Sequence, residues 1–524
     1  MWINKILSWI FFANILQPKI SAQSLATKFL FVAVLGLAFN WNTFGKLDYP
    51  MLSDTHASCS LEMALNWKMC SKFSNLTVPN NKDISIQTMM QNNKEILDQP
   101  LSSLPIKLKG SIEAYCNQPL VSFTNNENSL MYLEAAILEL SPNLTLNQLG
   151  AWLSSFRMAI NLVFATALLR IGLSPLFALA SFVAVQHIIS RMDITDLYSL
   201  YPNILPLCLG FAIVTVLVIK AYPTKKLWIV FLASLVLGLF AGFVGNMRSS
   251  YSLVCVSGLV LLLFILNKTP PAEAVIFKED GEKKPKGNLR IGKKYLAFGA
   301  IALGYFVGLY TFDATLIGAI RKENSGHSVQ NRAYHVVAHP LVLGLATPEN
   351  DFAKQQGIRW NDSIGPILAQ QIDPNVKYMD ENYEKALFAY YAKLWIDYPE
   401  EMVGLYLKKW QSAAQGISFG FKPINYILPK LDGIILTVLL AELFIGSYLL
   451  LRQTSAVTKM LIMFPLLVAL LSLGESAMIM SAYLPIYYAP IRFGVDFGCL
   501  LIMQIIANRL IMLSGKLTNP LSHR

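Results

Sequence analysis

The sequence predicts an all-α polytopic membrane protein with about ten transmembrane helices and two exoplasmic segments. Of its 524 residues, 54% are hydrophobic and only 14% are charged, and the mean hydropathy is +0.46. A soluble domain carries roughly a quarter charged residues, so this composition favours a chain surrounded by lipid and argues against the classes of soluble enzyme. The six cysteines are too few for a disulfide scaffold in so long a chain.

The predicted spans are stretches that match a membrane-crossing helix of about 20 mostly apolar residues. They begin near Phe29, Leu149, Leu173, Tyr201, Leu227, Tyr251, Tyr295, Leu431, Ala456 and Phe493. The first span is short and ends near Gly45, but its apolar core FLFVAVLGLAF contains no charged residue.

The apolar stretch 6–16 precedes the first span and is too short to cross a bilayer. Two interpretations remain open: an interfacial helix that carries Trp2 and Trp9, or the apolar region of a signal peptide that ends at residues 20–22. The interfacial helix is favoured because Lys19 is badly placed for cleavage.

The distribution of basic residues predicts the orientation of the chain in the membrane. Residues 1–28 contain Lys5, Lys19 and Lys28 and no acidic residue, which predicts a cytoplasmic N-terminus. Alternating spans then place both termini inside and residues 46–148 and 317–426 outside. The predicted cytoplasmic loops and C-terminus contain Lys220, Lys225, Lys226, the basic residues between Lys268 and Lys294, Arg452, Lys459, Arg509, Lys516 and Arg524. The net charge of +11 is thus explained by membrane orientation, and no basic stripe with interleaved aromatics indicates a nucleic-acid partner.

The resulting organisation has two polar segments separated by groups of spans. The predicted parts are 1–45 (cytoplasmic interfacial helix and first span), 46–148 (first exoplasmic loop with interfacial helices), 149–316 (spans two to seven with a charged cytoplasmic linker at 268–294), 317–426 (second exoplasmic domain) and 427–524 (spans eight to ten). In the second exoplasmic domain, apolar residues at helical spacing predict a helix. They are Tyr383, Ala386, Leu387, Tyr390, Tyr391 and Leu394.

Three of the cysteines, Cys59, Cys70 and Cys116, lie in the first exoplasmic loop. Because a pair can stay oxidised outside the cytoplasm, we expect one disulfide among them. Cys59 with Cys70 is preferred for its short loop closure, and three free buried thiols are the alternative.

Several chemistries lack their sequence motif. The chain has no GxxxxGK[ST] phosphate loop and no GxGxxG after a strand, and its cytoplasmic loops lack an Asp-x-Asp pair. These absences argue against an ATP-driven pump and against an enzyme that uses a cytosolic nucleotide sugar. The sequence predicts no cofactor.

One histidine pair resembles a zinc site. His335 and His339 in HVVAH are four residues apart and would share a helix face, but Val336 stands where a zinc protease has its glutamate base. Protease chemistry would therefore have no base here, and a divalent metal is not supported because no nearby Cys or Glu stands at ligand spacing. The alternative is that Pro340 ends a helix here and that the imidazoles form local hydrogen bonds.

Charged residues at the predicted outer face of the membrane indicate a functional site. Ionisable groups in or beside a bilayer are functional by default. The basic ones are Arg157, Arg191, Arg248, Arg321, Lys322, Arg332 and Arg492, and the acidic ones are Asp48, Asp54, Glu127, Glu134, Asp313, Glu475 and Asp496. Arginine suits phosphate because its planar fork bonds two oxygens at once. Asp496 is one turn from Arg492, so a simple ion pair is the alternative for those two. The charges predict a site for a lipid-linked phosphate.

The layout of the chain resembles the GT-C superfamily of membrane glycosyltransferases, which includes protein O-mannosyltransferases and lipid A aminoarabinose transferases. The resemblance lies in FGKLDYPMLSD after the first span, in ENSLMYLEAAILEL (127–140), in the paired spans of 149–182 and in the Gly-spaced stretch LVLGLFAGFVGNMRSSYSLVCVSGLVLLLF (235–264). It implies transfer of a sugar from a polyprenyl phosphate on the outer side of the membrane, with a catalytic carboxylate in the first outer loop. Asp48 has the corresponding place, and Asp54 and Glu127 are the second and third choices for the base.

The remaining predicted site residues bind the donor or the acceptor. Arg248 is expected to contact the donor phosphate, and Arg157, Arg321, Arg332 or Arg492 are expected to assist it. The segment 333–363 is dense in groups that recognise sugars, namely His335, His339, Asn350, Asp351, Trp360, Asn361 and Asp362. The alternative for this segment is a buried loop scaffold.

The leading functional hypothesis is an inverting glycosyltransferase in a bacterial inner (plasma) membrane, with its active site facing the periplasm or exterior. Its partners would be a polyprenyl-phosphate-linked sugar, a glycan, lipid or protein acceptor, and membrane lipids. Two alternatives remain: a ligase or polymerase of the O-antigen type that uses a diphosphate-linked donor, and a secondary transporter or flippase. The transporter hypothesis rests on Glu442 at the centre of the eighth predicted span.

Overall fold

The structure is a computed structural model, and all secondary structure in its described part is helical apart from an isolated β-bridge between Pro100 and Thr145. It describes residues 22–44, 55–71, 98–116, 128–190, 227–245, 296–297, 299–308, 311, 337–414, 432–451, 456–478 and 489–518. The predicted spans near Tyr201 and Tyr251, the N-terminal stretch 6–16 and the linker 268–294 lie outside these residues. The prediction of an all-α chain is confirmed for the described residues.

The helices are numbered along the chain. They are α1 (Ala22–Phe44), α2 (Thr55–Cys70), α3 (Leu104–Lys109), α4 (Ile112–Cys116), α5 (Asn128–Leu140), α6 (Leu146–Arg170), α7 (Pro175–Ser190), α8 (Leu227–Gly245), α9 (Gly299–Gly308), α10 (Ala338–Leu343), α11 (Asp351–Gln355), α12 (Ile364–Gln370), α13 (Tyr383–Asp397), α14 (Pro399–Ser412), α15 (Gly433–Leu450), α16 (Ala456–Met478) and α17 (Ala489–Thr518). Short 3₁₀ helices occur at Leu101–Ser103, before α3, and at Gly344–Ala346, after α10.

Two of the described helical stretches are long and apolar enough to cross a membrane, Gly433–Leu450 and Pro490–Ile511. Shorter apolar helical stretches occur at Gln23–Phe39, Asn161–Arg170, Leu227–Val236, Gly299–Gly308 and Ile462–Met478. The described helices thus include two candidates for membrane spans by length and composition.

Helices α1, α6, α7, α15, α16 and α17 pack into a bundle. Helix α6 begins at a capping box, because the Thr145 hydroxyl accepts from the Gln148 N–H while the Gln148 amide oxygen accepts from the Thr145 N–H. Phenylalanines from α6, α7 and α17 form the core of the bundle. The rings contact one another edge-on or tilted, with centroids 5.5 to 6.4 Å apart, and belong to Phe164, Phe177, Phe493 and Phe497.

Glycines let several of these helices approach closely. A Cβ added at Gly494 of α17 would lie 2.2 Å from the Cβ of Ala469 in α16. Helices α8 and α9 meet in the same way, since a Cβ added at Gly238 would lie 2.3 Å from the Ile301 carbonyl oxygen and one at Gly304 would lie 2.3 Å from the Leu235 carbonyl oxygen. Such small-residue contacts are typical of helices that pack within membranes.

The first polar segment is built on α2 and α5, which pack against each other, and a disulfide joins Cys70 of α2 to Cys116 of α4. The prediction of one disulfide among the three cysteines is confirmed, but the preferred pair was wrong. Cys59 and Cys70 lie on the same helix, where 11 residues span about 16 Å, and a disulfide requires Cα atoms within about 7 Å. Short sequence separation was therefore a poor guide, because the intervening residues are helical.

The second polar segment has a hydrophobic core of its own, formed by α10 to α14. The predicted helix is confirmed as α13, in which Tyr383, Leu387, Tyr390 and Leu394 are buried at helical spacing. The structure describes this segment without a gap from residue 337 to residue 414. We call these residues the 337–414 domain.

The 337–414 domain is attached to one end of the bundle. The Trp410 indole N–H donates to the Thr437 hydroxyl at 2.9 Å, and Gly433 lies so close that an added Cβ would be 2.0 Å from the Trp410 carbonyl oxygen. Ala413 and Ala414 pack into the apolar cluster that α15, α16 and α17 share. The domain therefore sits where α15 begins and α16 ends.

Candidate functional site

The site lies in the 337–414 domain and begins at the N-terminus of α10. The Glu384 carboxylate of α13 accepts hydrogen bonds from the N–H groups of Val337 (3.2 Å) and Ala338 (2.7 Å). These bonds satisfy two of the donors that a helix start leaves without a partner. Because α10 starts at Ala338, Pro340 lies in its first turn, where proline is tolerated, so the alternative in which Pro340 ends a helix does not hold.

His339 is the centre of a hydrogen-bonded chain. Its Nδ1 lies 2.6 Å from the Tyr383 hydroxyl, and its Nε2 lies 3.2 Å from Oδ1 of Asp362. His339 is 2% exposed and Tyr383 is fully buried, whereas the Asp362 side chain is 73% exposed. The ring of Tyr378 packs edge-on against Tyr383 and also contacts the imidazole. The chain thus runs from the core of the domain to its surface.

The direction of these hydrogen bonds follows from the protonated phenol and the carboxylate together. Burial, with smaller contributions from nearby Tyr378 and acidic groups, raises the pKa of Tyr383, so the phenol keeps its proton. The Asp362 carboxylate is an acceptor only, so the proton of a neutral imidazole lies on Nε2, and Nδ1 accepts from the Tyr383 hydroxyl. The N–H at Nε2 donates to the Asp362 carboxylate and fixes its position.

A glycine makes room for this arrangement. A Cβ added at Gly365, the second residue of α12, would lie 2.1 Å from the Tyr383 hydroxyl oxygen and 2.8 Å from Nδ1 of His339. Any side chain here would push these two groups apart. The buried part of the site therefore depends on residues from α10, α12 and α13.

The exposed part of the site is the loop that carries Asp362. Trp360 is 43% exposed, and Arg359 and Asn361 are also exposed. The Asn361 side-chain oxygen accepts from the Ser363 N–H (3.0 Å) and hydroxyl (2.9 Å), so it shapes the turn. An indole and a held carboxylate, two residues apart, are groups that contact sugar rings and hydroxyls in binding sites.

The other predicted sugar-binding residues of the segment separate into different places. Asn350 caps α11 by accepting from the Ala353 N–H at 2.8 Å, and its amide donates to the Leu345 and Pro348 carbonyls. Asp351 is an exposed first residue of α11, where a carboxylate suits the helix dipole. The structure therefore brings His339 and Asp362 together and gives Asn350 a scaffold role.

A buried lysine connects the site to the bundle. Lys409 is fully buried, and its ammonium donates to the carbonyls of Gly344 (2.8 Å) and Met478 (3.3 Å) and lies over the Tyr406 ring. Gly344 is the C-cap of α10 and Met478 is the last residue of α16, so one cation contacts the negative ends of two helix dipoles. Burial lowers the pKa of Lys409 to about 7.

Sequence reasoning missed three residues that build this site: Tyr383 as the partner of His339, Glu384 and Lys409. Tyr383 lies 44 residues from His339 along the chain, and no local pattern links them. Lys409 did give a signal, because it follows Met402 and Leu405 on the buried face of α14. A lysine on an apolar face is rare unless it has partners.

Two of the predicted phosphate-binding arginines lie on described helices. Arg492 is 3% exposed in the second turn of α17, and Asp496, one turn later, is fully buried. Arg157 is a residue of α6, and its side chain is outside the described part of the structure. The other predicted residues that lie outside the described part are Asp48, Asp54, Glu127, Arg248, Arg321, Arg332 and His335. Their roles stay predictions.

An open groove of about 710 Å³ lies elsewhere, between the end of α5 and the start of α6. Leu140 and Trp152, which line it, are 76% and 47% exposed. The described residues that line this groove include none of the predicted site residues.

Among the described residues, no three His, Cys, Asp or Glu side chains are arranged to hold a metal ion. The chain matches no protein-family model, no curated protein sequence and no solved structure. The candidate site is therefore defined by its geometry: a surface carboxylate held by a buried histidine and tyrosine, in a domain fixed to the end of an apolar helix bundle.

Proposed function

We propose that the protein is an inverting membrane glycosyltransferase of the GT-C type, which moves a sugar from a polyprenyl-phosphate donor to a glycan, lipid or protein acceptor outside the membrane. The observation that carries the proposal is the attachment of the 337–414 domain, with its Asp362 and Trp360 surface, to the ends of α15 and α16. A lipid-linked donor keeps its reactive phosphate at the membrane surface, so an enzyme that uses it needs polar groups fixed at that level.

The proposed topology has about ten spans, with both polar segments outside and both termini inside. The distribution of lysine and arginine supports this orientation. The Cys70–Cys116 disulfide supports it independently, because disulfides persist in oxidising compartments and are rare in the cytoplasm. Reporter fusions at Lys94 and Gln370 test it, and a cytoplasmic signal from either would contradict the orientation.

The second candidate is a ligase or polymerase that uses a diphosphate-linked donor. The specific observation in its favour is the place of His339 at the centre of the site, because ligases of the O-antigen type also rely on outer histidine and arginine residues. The two candidates differ in the leaving group, which is a polyprenyl phosphate in the first and a polyprenyl diphosphate in the second.

The transporter hypothesis has less support. It depended on Glu442 as a proton relay inside the membrane, but Glu442 lies on an exposed face of α15 in the described structure. A relay carboxylate is expected to face a bundle interior or a water-filled cavity.

The test is a turnover assay with the purified full-length chain in lipid nanodiscs, where no ion gradient exists. Radiolabelled polyprenyl-phosphate mannose, polyprenyl-phosphate glucose and a polyprenyl-diphosphate oligosaccharide are supplied separately, with a mixed glycan, lipid and peptide acceptor pool. Release of polyprenyl phosphate supports the leading proposal, and release of polyprenyl diphosphate supports the second candidate.

The contrary outcome is equally clear. If no donor is consumed in nanodiscs, but the same labelled lipids cross the bilayer of proteoliposomes only when the protein is present, the protein is a flippase and the glycosyltransferase proposal fails.

A further inference from the structure

We propose that Asp362 is the general base of the transfer reaction and that His339 and Tyr383 are positioning residues that hold its carboxylate. The inference rests on the proposed function and assigns the base to the second polar segment instead of Asp48, Asp54 or Glu127. A general base must be reachable by the acceptor hydroxyl and held in a defined position. Asp362 meets both conditions, since it is 73% exposed and one of its oxygens lies 3.2 Å from Nε2 of His339.

Stability alone does not account for this arrangement. A bond to a carboxylate as exposed as that of Asp362 contributes about 0 to 1 kcal/mol. Yet the domain buries a histidine and a tyrosine behind it and keeps a glycine at position 365 to make room for them. Groups buried at this cost and aimed outward at one surface carboxylate are the usual way in which a functional group is given a fixed orientation.

The tautomer of His339 favours the ionised state of the Asp362 carboxylate, which is the state that a general base needs. Tyr383 donates to Nδ1, so Nε2 carries the ring proton and donates it in a hydrogen bond to Oδ1 of Asp362. A hydrogen bond to the charged form of a carboxylate favours that form. The bond from Nε2 therefore favours the ionised form of Asp362, whose side chain is exposed enough for a substrate to reach it.

The reaction step balances without any further reagent. Asp362 accepts the proton of an acceptor hydroxyl as the hydroxyl oxygen attacks the anomeric carbon of the donor sugar. The new carbon–oxygen bond forms as the bond from the anomeric carbon to the phosphate oxygen breaks. The polyprenyl phosphate leaves with that electron pair, and Asp362 later releases its proton to water.

The exposed indole of Trp360 indicates the chemical class of the acceptor. Its indole is 43% exposed two residues before Asp362, in a loop with exposed Arg359. An aromatic ring provides a flat apolar surface for the C–H face of a sugar, next to a carboxylate that would take a hydroxyl proton. We therefore assign the acceptor to the saccharide class: a glycan, or a glycolipid with its sugar presented to this surface.

The experiment compares four variants of the full-length protein in nanodiscs, with radiolabelled polyprenyl-phosphate mannose or glucose as donor and oligosaccharides as acceptors. Asp362→Asn keeps the size of the side chain and removes the base, so turnover should fall by about 100-fold or more with the KM for the donor unchanged. Asp397→Asn, which changes an exposed carboxylate at the end of α13, is the matched control and should behave as wild type.

Two more variants test the positioning and acceptor roles. Tyr383→Phe removes the donor to Nδ1, which weakens the bond from His339 to Asp362. The acid limb of the pH–rate profile should therefore move to higher pH, a shift that a purely structural tyrosine would not cause. Trp360→Ala should raise the KM for the oligosaccharide and leave the KM for the donor unchanged.

The failures can be told apart. Wild-type protein that consumes none of the donors overturns the proposed function and this inference with it. Active wild type with normal turnover by Asp362→Asn overturns the base assignment alone, and loss of activity by Asp48→Asn in the same assay would return the role to the first loop. Normal kinetics and an unshifted pH profile for Tyr383→Phe would overturn its positioning role.

Discussion

The two polar segments of the chain are held together in different ways. The first, around α2 and α5, buries apolar residues between packed helices and is braced by the Cys70–Cys116 disulfide. The second, the 337–414 domain, has a hydrophobic core and a chain of buried polar contacts that ends at Asp362. A covalent brace limits how far a segment can open, whereas a polar chain fixes individual atoms. A catalytic carboxylate needs the second kind of support.

The largest expected effect on stability comes from removing the disulfide. Replacing Cys116 with serine frees a loop of 46 residues, which by chain entropy costs the first segment about 4 kcal/mol of stability. Hydrogen exchange should increase across α2 and α5 and stay unchanged in α13. Cys499→Ser, which removes a free thiol in α17, is the control.

Mass mapping under non-reducing conditions checks the pairing directly. A linked peptide pair that contains Cys70 and Cys116 is expected. A Cys59–Cys70 link would contradict the helix that separates them.

The next largest effect is expected from a substitution that disrupts the hydrogen bonds between Tyr383, His339 and Asp362. Gly365→Ala places a Cβ against the Tyr383 hydroxyl and the His339 ring, and overpacking of this kind costs about 1 to 3 kcal/mol. Thermal unfolding should shift to lower temperature, and the proposed transfer activity should fall with it. Gly404→Ala in α14 is the matched control, because a Cβ there meets open space and should stabilise the helix by about 0.5 to 1 kcal/mol. Equal melting of both variants would mean that the close contact at Gly365 is absent.

The third effect is a dependence of stability on pH. Burial lowers the pKa of Lys409 to about 7 from its ordinary 10.5, so above pH 7 the unfolded chain binds a proton that the folded chain has released. Stability should therefore rise with pH from about 7 to about 9.5, by at most about 1.4 kcal/mol per pH unit. Below pH 7 both states are protonated and the slope should vanish.

Lys409→Met isolates this contribution. The methionine fills the same apolar space without a titrating group, so the slope between pH 7 and 9.5 should disappear in denaturant unfolding. A slope identical to that of wild type would show that the Lys409 ammonium is not buried at the junction between the domain and α16.

The sequence could predict what depends on local patterns. The stripe of Tyr383, Leu387 and Leu394 defined α13, and the density of polar groups in residues 333–363 selected the loop that contains Asp362. It could not predict contacts between distant residues. The carboxylate that accepts from the Ala338 N–H comes from Glu384 on α13, and the preferred disulfide pair was wrong because helix geometry outweighs short separation.

The smallest expected effect compares one carboxylate from each segment. Glu139 pairs with Lys68 on the first segment, but its side chain is 69% exposed, so Glu139→Gln should cost less than about 1 kcal/mol. Glu384 in the second segment accepts from two backbone N–H groups at the start of α10, one on each oxygen, and Glu384→Gln turns one of these oxygens into an NH2 group that cannot accept. Loss of such a cap costs about 0.5 to 2 kcal/mol, so Glu384→Gln should be the more destabilising change in denaturant unfolding. It should also loosen His339, two residues into α10, and lower transfer activity, while Glu139→Gln leaves activity unchanged. The reverse order of stabilities would mean that the second segment does not depend on its polar contacts, and the reason for placing the base there would be lost.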